Sequence, residues 1–233
     1  MEDTVKIIAY IRNDFTEKFG IPRQSGLHEG LSVIEFEKEY RDSSALRGIE
    51  SFSHLWLIWK FSRSEREKWS PTVRPPRLGG NRRVGVFATR SPFRPNPLGL
   101  SSVELCAVRK TENGTVLIVK GADLADGTPI YDIKPYLAFT DSHPDAVCGF
   151  SDEKREYHLH VEIPPEISEK FPAEKRNILT DILSQDPRPA YIDDPERIYG
   201  FPFAGFEIRF FVRESTLFVT EIRKADTEST EKT

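Results

Sequence analysis

Apolar and polar positions alternate along much of the first two-thirds of the chain. Val5–Arg12, Ser32–Glu37 and Leu55–Phe61 have the two-residue period of strands with one buried face. Val103–Arg109 and Thr115–Lys120 continue it on either side of Glu112-Asn113-Gly114, a turn sequence that joins such runs into a hairpin. Asp42 or Ser43 can cap a short helix over Ser43–Gly48. Pro and Gly interrupt the strands often and helical periods are scarce. That predicts a β-barrel over residues 1–148 rather than alternating β and α units.

The period changes after Asp145. Ser151–Glu156 is a charged connector, and Tyr157–Ile163 reads as a strand that ends at Pro164-Pro165. Ala173–Ser184 places Ile178, Leu179, Ile182 and Leu183 on one stripe of an amphipathic helix. Alternation at Phe206, Ile208, Phe210 and Val212, followed by Leu217–Ile222, completes a small α+β domain over residues 157–224. A unit of that size needs to pack on the first domain to be stable. Residues 225–233 have little to bury and are expected to be disordered. The expected fold is mainly β: a barrel followed by a small α+β domain.

Composition narrows the class. With 30% charged and 38% hydrophobic residues in 233, the chain has the profile of a soluble globular protein. Its apolar runs, such as Leu55–Trp59, fall well short of the ~20 residues a membrane helix needs. The acidic opening has no cleavage-site pattern, so a cytoplasmic location is expected. Cys106 and Cys148 are expected as two buried thiols rather than a disulfide. No metal is expected: His158 and His160 share a strand face that solvent explains better than zinc does.

A formal net charge of −4 argues globally against a polyanionic partner. The distribution reverses that. No acidic residue lies between Glu67 and Glu104, whereas Lys68, Arg74, Arg77, Arg82, Arg83, Arg90 and Arg94 all do. Prolines at 75, 76, 92, 95 and 97 exclude continuous strand or helix, so the arginines project from a shaped loop. Their guanidinium forks match phosphate oxygens; the plain alternative is a Pro-rich crossover with solvated arginines.

A second segment, DGTPIYDIKPYL from Asp126 to Leu137, begins as a turn. It then alternates Asp132, Lys134 and Tyr136 on one face, fit to hold a polar ligand or move a proton, or to form a surface ladder. Arg23 and Gln24 follow a Gly-Ile-Pro turn, and Arg188 and Tyr191 sit in the rigid stretch DPRPAY. His54, beside tryptophans, reads as a core histidine. GxGxxG, GxxxxGK[ST] and GxSxG are all absent, which leaves a Rossmann site, a P-loop and a hydrolase elbow unsupported. Unaided, these residues reach an anion-binding loop surface and no reaction.

GIPRQ, TVRPPRLGGNRRVGVFATRSPFRPNPLGLS and DGTPIYDIKPYL, in that order and followed by DPRPAY, resemble the TrmO family, also called TsaA-like or YaeB-like. The resemblance spans roughly residues 5–145 and continues through Tyr191. It implies a dimeric β-barrel methyltransferase that uses S-adenosylmethionine without a Rossmann fold. The implied substrate is threonylcarbamoyladenosine at position 37, in the anticodon stem-loop of threonine tRNA, methylated at N6. The implied cofactor contacts are Pro22, Arg23, Gln24, Phe61, Ser62, Arg90, Leu100 and the turn Leu124, Ala125, Asp126, Gly127.

On that footing Asp126 and Asp132 are candidates to accept or orient the departing proton, with Tyr136 placing the base. Arg74, Arg77, Arg82, Arg83, Arg94 and Lys134 are the expected tRNA contacts, and Arg188 and Tyr191 are expected to complete the site of a partner subunit. Two other readings stay open: a non-enzymatic RNA-binding module, and a methyltransferase for a small anionic substrate.

Overall fold

The protein is described by a computed structural model over residues 4–64, 68–75, 78, 82–154, 157–188 and 194–225. Arg77 and Tyr191, and the tail expected to be disordered, lie outside the described residues. In chain order the strands of the first domain are β1 (Ala9–Arg12), β2 (Leu31–Phe36), β3 (His54–Lys60), the two-residue β4 (Thr72–Val73) and β5 (Val84–Gly85), β6 (Leu98–Thr111), β7 (Gly114–Lys120) and β8 (Pro129–Pro135). Six of them pair antiparallel in the order β1-β2-β7-β6-β3-β8, and β8 pairs back on to β1, so the sheet closes on itself. Alternate residues turn inward: Ile11, Ile34, Leu55, Leu57, Leu117, Val119 and Ile130 are fully buried. Burial of each such side chain contributes about 1.5–3 kcal/mol.

Antiparallel pairing also decides where the loops go. β1, β3 and β7 end, and β2, β6 and β8 begin, at the same mouth of the closed sheet. The connections 13–30, 61–97 and 121–128 therefore emerge together there. These connections carry most of the candidate site.

After the helical turn α1 (Ala138–Asp141), the second domain comprises β9 (His160–Glu162), α2 (Pro165–Ser168), α3 (Arg176–Ser184), β10 (Tyr199–Phe203), β11 (Phe206–Arg213) and β12 (Thr216–Lys224). Its sheet has the order β10-β11-β12-β9, with β9 parallel to β12. Leu179, Ile182 and Leu183 of α3 share one buried cluster with Phe201, Phe203 and Phe210. Phe15 belongs to that cluster, and Phe19 and Ile21 pack against it. The 13–30 connection of the first domain thus completes the core of the second. Gly20 is required at this junction: its φ is +91°, and a Cβ there would lie 2.2 Å from the Phe201 ring.

Several expectations shift. Strand β10 escapes the sequence pattern because Gly200 and Pro202 read as turn residues; Pro202 is tolerated because β10 is an edge strand. The helix expected from Ala173 begins with a 3-10 turn, Ala173–Lys175, before α3. The helix expected after Asp42 is one 3-10 turn, Ser43–Leu46, capped as anticipated by the Asp42 carboxylate, which accepts from Ser44 N at 2.9 Å. Cys106 and Cys148 are free and exposed, not buried. Cys106 is the extra residue of a β-bulge between Leu105 and Ala107, which turns it out of the alternation. His54 is exposed as well, being the first residue of β3, and its Nδ1 lies 2.9 Å from Ser53 Oγ. His158 and His160 are exposed, the latter 3.8 Å from a Glu162 oxygen. No helix among the described residues is long and apolar enough to cross a membrane.

Candidate active site

At the mouth of the closed sheet the three connections are tied together by polar side chains. Asp123 stands at the centre. Its carboxylate accepts from Ser101 Oγ at 2.6 Å, and that hydroxyl accepts from Trp59 Nε1 at 2.9 Å. Burial pushes the Asp123 carboxyl above the usual range, opposed by Ser101, by backbone amides including that of Ser25, and by the charge of Arg90. The Arg90 guanidinium donates to Gln24 Oε1, whose side-chain amide in turn donates to the Arg23 carbonyl. Gly99 backs Trp59 so closely that a Cβ would meet the indole at 2.2 Å, and the Phe61 ring packs on Trp59 with centroids 4.3 Å apart.

Asp126 borders the same cluster. Its Oδ1 accepts from Asn13 N at 3.0 Å, and its backbone oxygen accepts from Arg63 Nη2 at 2.7 Å. Arg63 also donates to the Thr16 carbonyl, so one guanidinium ties the 61–97 connection to both others. Asn13 Nδ2 donates to the Leu124 carbonyl at 2.9 Å. The structure therefore gathers Gln24, Phe61, Arg90 and the 124–127 turn at one place, as the motifs imply, and Pro22 and Arg23 follow directly in the same connection.

Arg23 points toward the second domain. Its Nη2 donates to the carbonyl oxygens of Asp186 and Arg188, at 2.7 and 3.4 Å. Arg188 departs from expectation. Its guanidinium grips both Asp186 oxygens, Nε to Oδ1 at 2.8 Å and Nη2 to Oδ2 at 2.9 Å, and its side chain is 14% exposed. It folds back to pin its own loop. Tyr157 OH donates to Asp186 Oδ2 at 2.9 Å. Burial alone would raise the Asp186 carboxyl, but the hydrogen bonds and charge of Arg188 hold it below the ordinary value.

A second group of expected residues sits elsewhere. Asp132, Lys134 and Leu100 face outward on the wall formed by β8, β3 and β6, where Ile58 pairs with both Asp132 and Leu100. Asp132 and Lys134 form an ion pair at 2.8 Å. Beside them is a shallow cavity of about 360 Å³ lined by Trp56, Ile58, Leu100, Lys134, Thr140, Asp141 and His143. Asp141 accepts from Trp56 Nε1 at 2.8 Å, which holds α1 against β3. Tyr136 packs on Trp56, and its amide bonds the His54 carbonyl, at the far end of β3. Six strand steps of ~3.3 Å separate that end from the mouth, about 20 Å, so Tyr136 does not share one constellation with Asp126 within a subunit.

The arginine segment makes an excursion from the mouth. β4 and β5 pair as a short ribbon, Thr72 with Gly85 and Val73 with Val84. Arg74, Arg82 and Arg83 are exposed at its tip, with Arg83 Nη1 donating to Thr72 Oγ1 at 2.9 Å. Arg94 is half-buried and bonds the Thr89 carbonyl at 3.1 Å. Sequence reasoning missed Asp123, Ser101 and Arg63. A lone Asp after a strand, a Ser within one and a single Arg outside the proline-rich run carry no local signal; only the closing of the sheet brings them together.

The half-buried Asp123 carboxyl thus sits within reach of the Arg90 charge in this cluster. Ser62, exposed, follows Phe61 at the rim. Among the described residues no group of His, Cys, Asp and Glu could hold a metal ion.

Comparison with known proteins bears on what this mouth does. Residues 10–142 match the family model described as the tRNA-methyltransferase O N-terminal domain, and residues 156–225 match the TrmO C-terminal domain. The tRNA (adenine(37)-N6)-methyltransferase of Escherichia coli is 41% identical over 217 residues, 89% of this chain and 92% of that protein. A Pseudomonas aeruginosa protein described as a putative S-adenosylmethionine-dependent methyltransferase is 39% identical over 215 residues, 86% of this chain and 88% of its own length. A crystal structure of TrmO from P. aeruginosa superposes with a TM-score of 0.76 at 32% identity, covering 97% of this chain and 98% of that one.

Proposed function

The chain belongs to the TrmO family of tRNA methyltransferases, and from that premise we propose that it transfers a methyl group from S-adenosylmethionine to N6 of adenosine 37 in tRNA. The observation that carries this reading is the 41% identity to the E. coli enzyme over 89% of the chain, together with a mouth that gathers Gln24, Phe61, Arg90 and the 124–127 turn. In the finer reading, the acceptor is threonylcarbamoyladenosine of threonine tRNA, the closed six-strand sheet is the family's barrel, and the enzyme works in the cytoplasm as a homodimer. Exposed Leu98 and Leu100 beside Ile58 on the outer wall support a covered face.

Pro22, Arg23, Gln24, Phe61, Ser62, Arg90 and the turn 124–127 would hold the cofactor, which supplies an electrophilic methyl group on a sulfonium. The sulfonium and the amino group are cationic, and the Asp123 carboxylate at the base of the cluster complements them. Positioning alone can supply on the order of 7–11 kcal/mol for a displacement of this kind. Conjugation with a carbamoyl group makes the N6 proton more acidic, and Asp126, whose Oδ1 accepts from Asn13 N at the mouth, would accept or orient it. Asp132 and Tyr136, on the outer wall, can serve the same site only from a neighbouring subunit.

The test is label transfer from S-adenosylmethionine to threonine tRNA with and without the threonylcarbamoyl group. Label in the modified tRNA alone supports the full reading. Binding without label favours an RNA-binding module, and no tRNA binding favours a small anionic acceptor.

A further inference from the structure

We infer that Trp69 and Phe87 form a stacking platform for an unpaired nucleobase, next to the arginines that grip the RNA backbone. The proposal rests on the reading of this protein as a tRNA methyltransferase and adds a base-binding subsite to it. The two rings lie nearly parallel, 28° apart with centroids 6.4 Å from each other, and remain 51% and 73% exposed. Large aromatics left open to water in this way are costly unless something covers them.

Their setting points to RNA as the cover. One further hydrogen bond, from Val86 N to the Pro71 carbonyl at 2.9 Å, closes the base of the β4–β5 ribbon; Phe87 follows in the 3-10 turn Val86–Ala88, and Trp69 precedes Pro71 on the other side. Arg74 and Arg83 follow Val73 and precede Val84 at the other end of the same ribbon, with Arg82 beyond. Four to five residue steps along the chain separate the rings from these cations, at most about 13–17 Å. No acidic residue lies between Glu67 and Glu104 in the sequence. An aromatic pair and a set of guanidinium groups on one acid-free ribbon match the chemistry of a single strand, in which bases stack while phosphates are neutralised.

The experiment uses the full-length protein and two probes, an anticodon stem-loop RNA and a fully paired RNA duplex. Trp69→Ala and Phe87→Ala should each weaken stem-loop binding by about 5- to 150-fold, the equivalent of the ~1–3 kcal/mol of one base–aromatic stack. Duplex affinity and the KM for S-adenosylmethionine should stay as they are. Trp69→Phe, which keeps a ring, should recover most of the loss. Stem-loop affinity unchanged in both alanine variants overturns the proposal. So does equal loss for both RNAs, or a change of oligomeric state in sizing experiments, which would make the pair an interface between copies. Failure of the functional reading would look different: no methyl transfer by the unaltered protein, whatever stands at Trp69.

Discussion

The Arg23 guanidinium donates to the backbone oxygen of Asp186 at 2.7 Å, so the connection that bears Gln24 is held by the second domain as well as by the closed sheet. Phe15, Phe19 and Ile21 from the same connection enter the second domain's core. The second domain thereby fixes one wall of the proposed cofactor cluster.

Asp186 is the anchor of that arrangement. Its φ is +52°, and its side chain and that of Arg188 are 12% and 14% exposed. Replacing Asp186 by Ala leaves a poorly solvated guanidinium without its partner, which costs about 3–5 kcal/mol. A lower Tm is expected, with KM for S-adenosylmethionine raised more than kcat is lowered. Replacing Asp186 and Arg188 together by apolar residues should restore much of the Tm, as double-mutant thermal melts would show.

Asp123 ties Ser101, Trp59 and the Ser25 amide while facing the charge of Arg90. Asp123→Asn keeps the shape and removes the charge. Cofactor KM is expected to rise at least tenfold, about 1.4 kcal/mol at the binding step. Burial raises this carboxyl in the folded protein, so the native state binds the proton more readily than the unfolded chain. Stability should therefore fall as pH rises from the ordinary carboxylate value through the raised one, and the Asn variant should lose that dependence. Thermal melts across the acid range, with KM measured alongside, check both.

His28 lies buried between the two domains. Its Nε2 lies 3.0 Å from the Ala122 carbonyl and its Nδ1 accepts from Gly30 N at 2.9 Å, an arrangement that needs the neutral ring protonated on Nε2. Burial lowers its pKa below 6.5, against a backbone hydrogen bond to Ala122 and the charge of Asp181. The unfolded chain then takes up the proton first, so stability is complete above about pH 6.5 and declines as pH falls from there toward the depressed value. His28→Gln, which can donate and accept as the neutral ring does, should flatten the decline in thermal melts.

How far this was legible in the sequence differs by element. Alternation located five of the six strands of the closed sheet because each has one fully buried face, as Ile11, Ile34, Leu55 and Leu117 show. The sequence shows β8 only as an extended polar ladder, since the register shift opposite Ile58 and Trp59 puts Ile130 and Ile133, of opposite parity, against the same core. Strand β10 was hidden by its Gly and Pro. Motif resemblance pointed to Gln24, Arg90 and the 124–127 turn, which do meet. The outward turn of Leu100 and the capture of Arg188 by Asp186 depend on strand facing and on an ion pair two residues away, and neither has a signature in residue type.

The exposed arginines of the ribbon should act on RNA through charge alone. Arg74→Ala, Arg82→Ala or Arg83→Ala is expected to weaken tRNA binding and to reduce the slope of log affinity against log salt by about 0.7–0.9 for each phosphate no longer neutralised. A salt titration of each variant measures it; an unchanged slope would remove that residue from the interface.

The most direct test incubates the protein with methyl-labelled S-adenosylmethionine and threonine tRNA carrying the threonylcarbamoyl group, then digests the tRNA to nucleosides. Label is expected in N6-methylated threonylcarbamoyladenosine and in no other nucleoside, and should vanish when position 37 is not adenosine. Label in a different nucleoside, or none while tRNA and S-adenosylmethionine both bind, would contradict the proposed reaction.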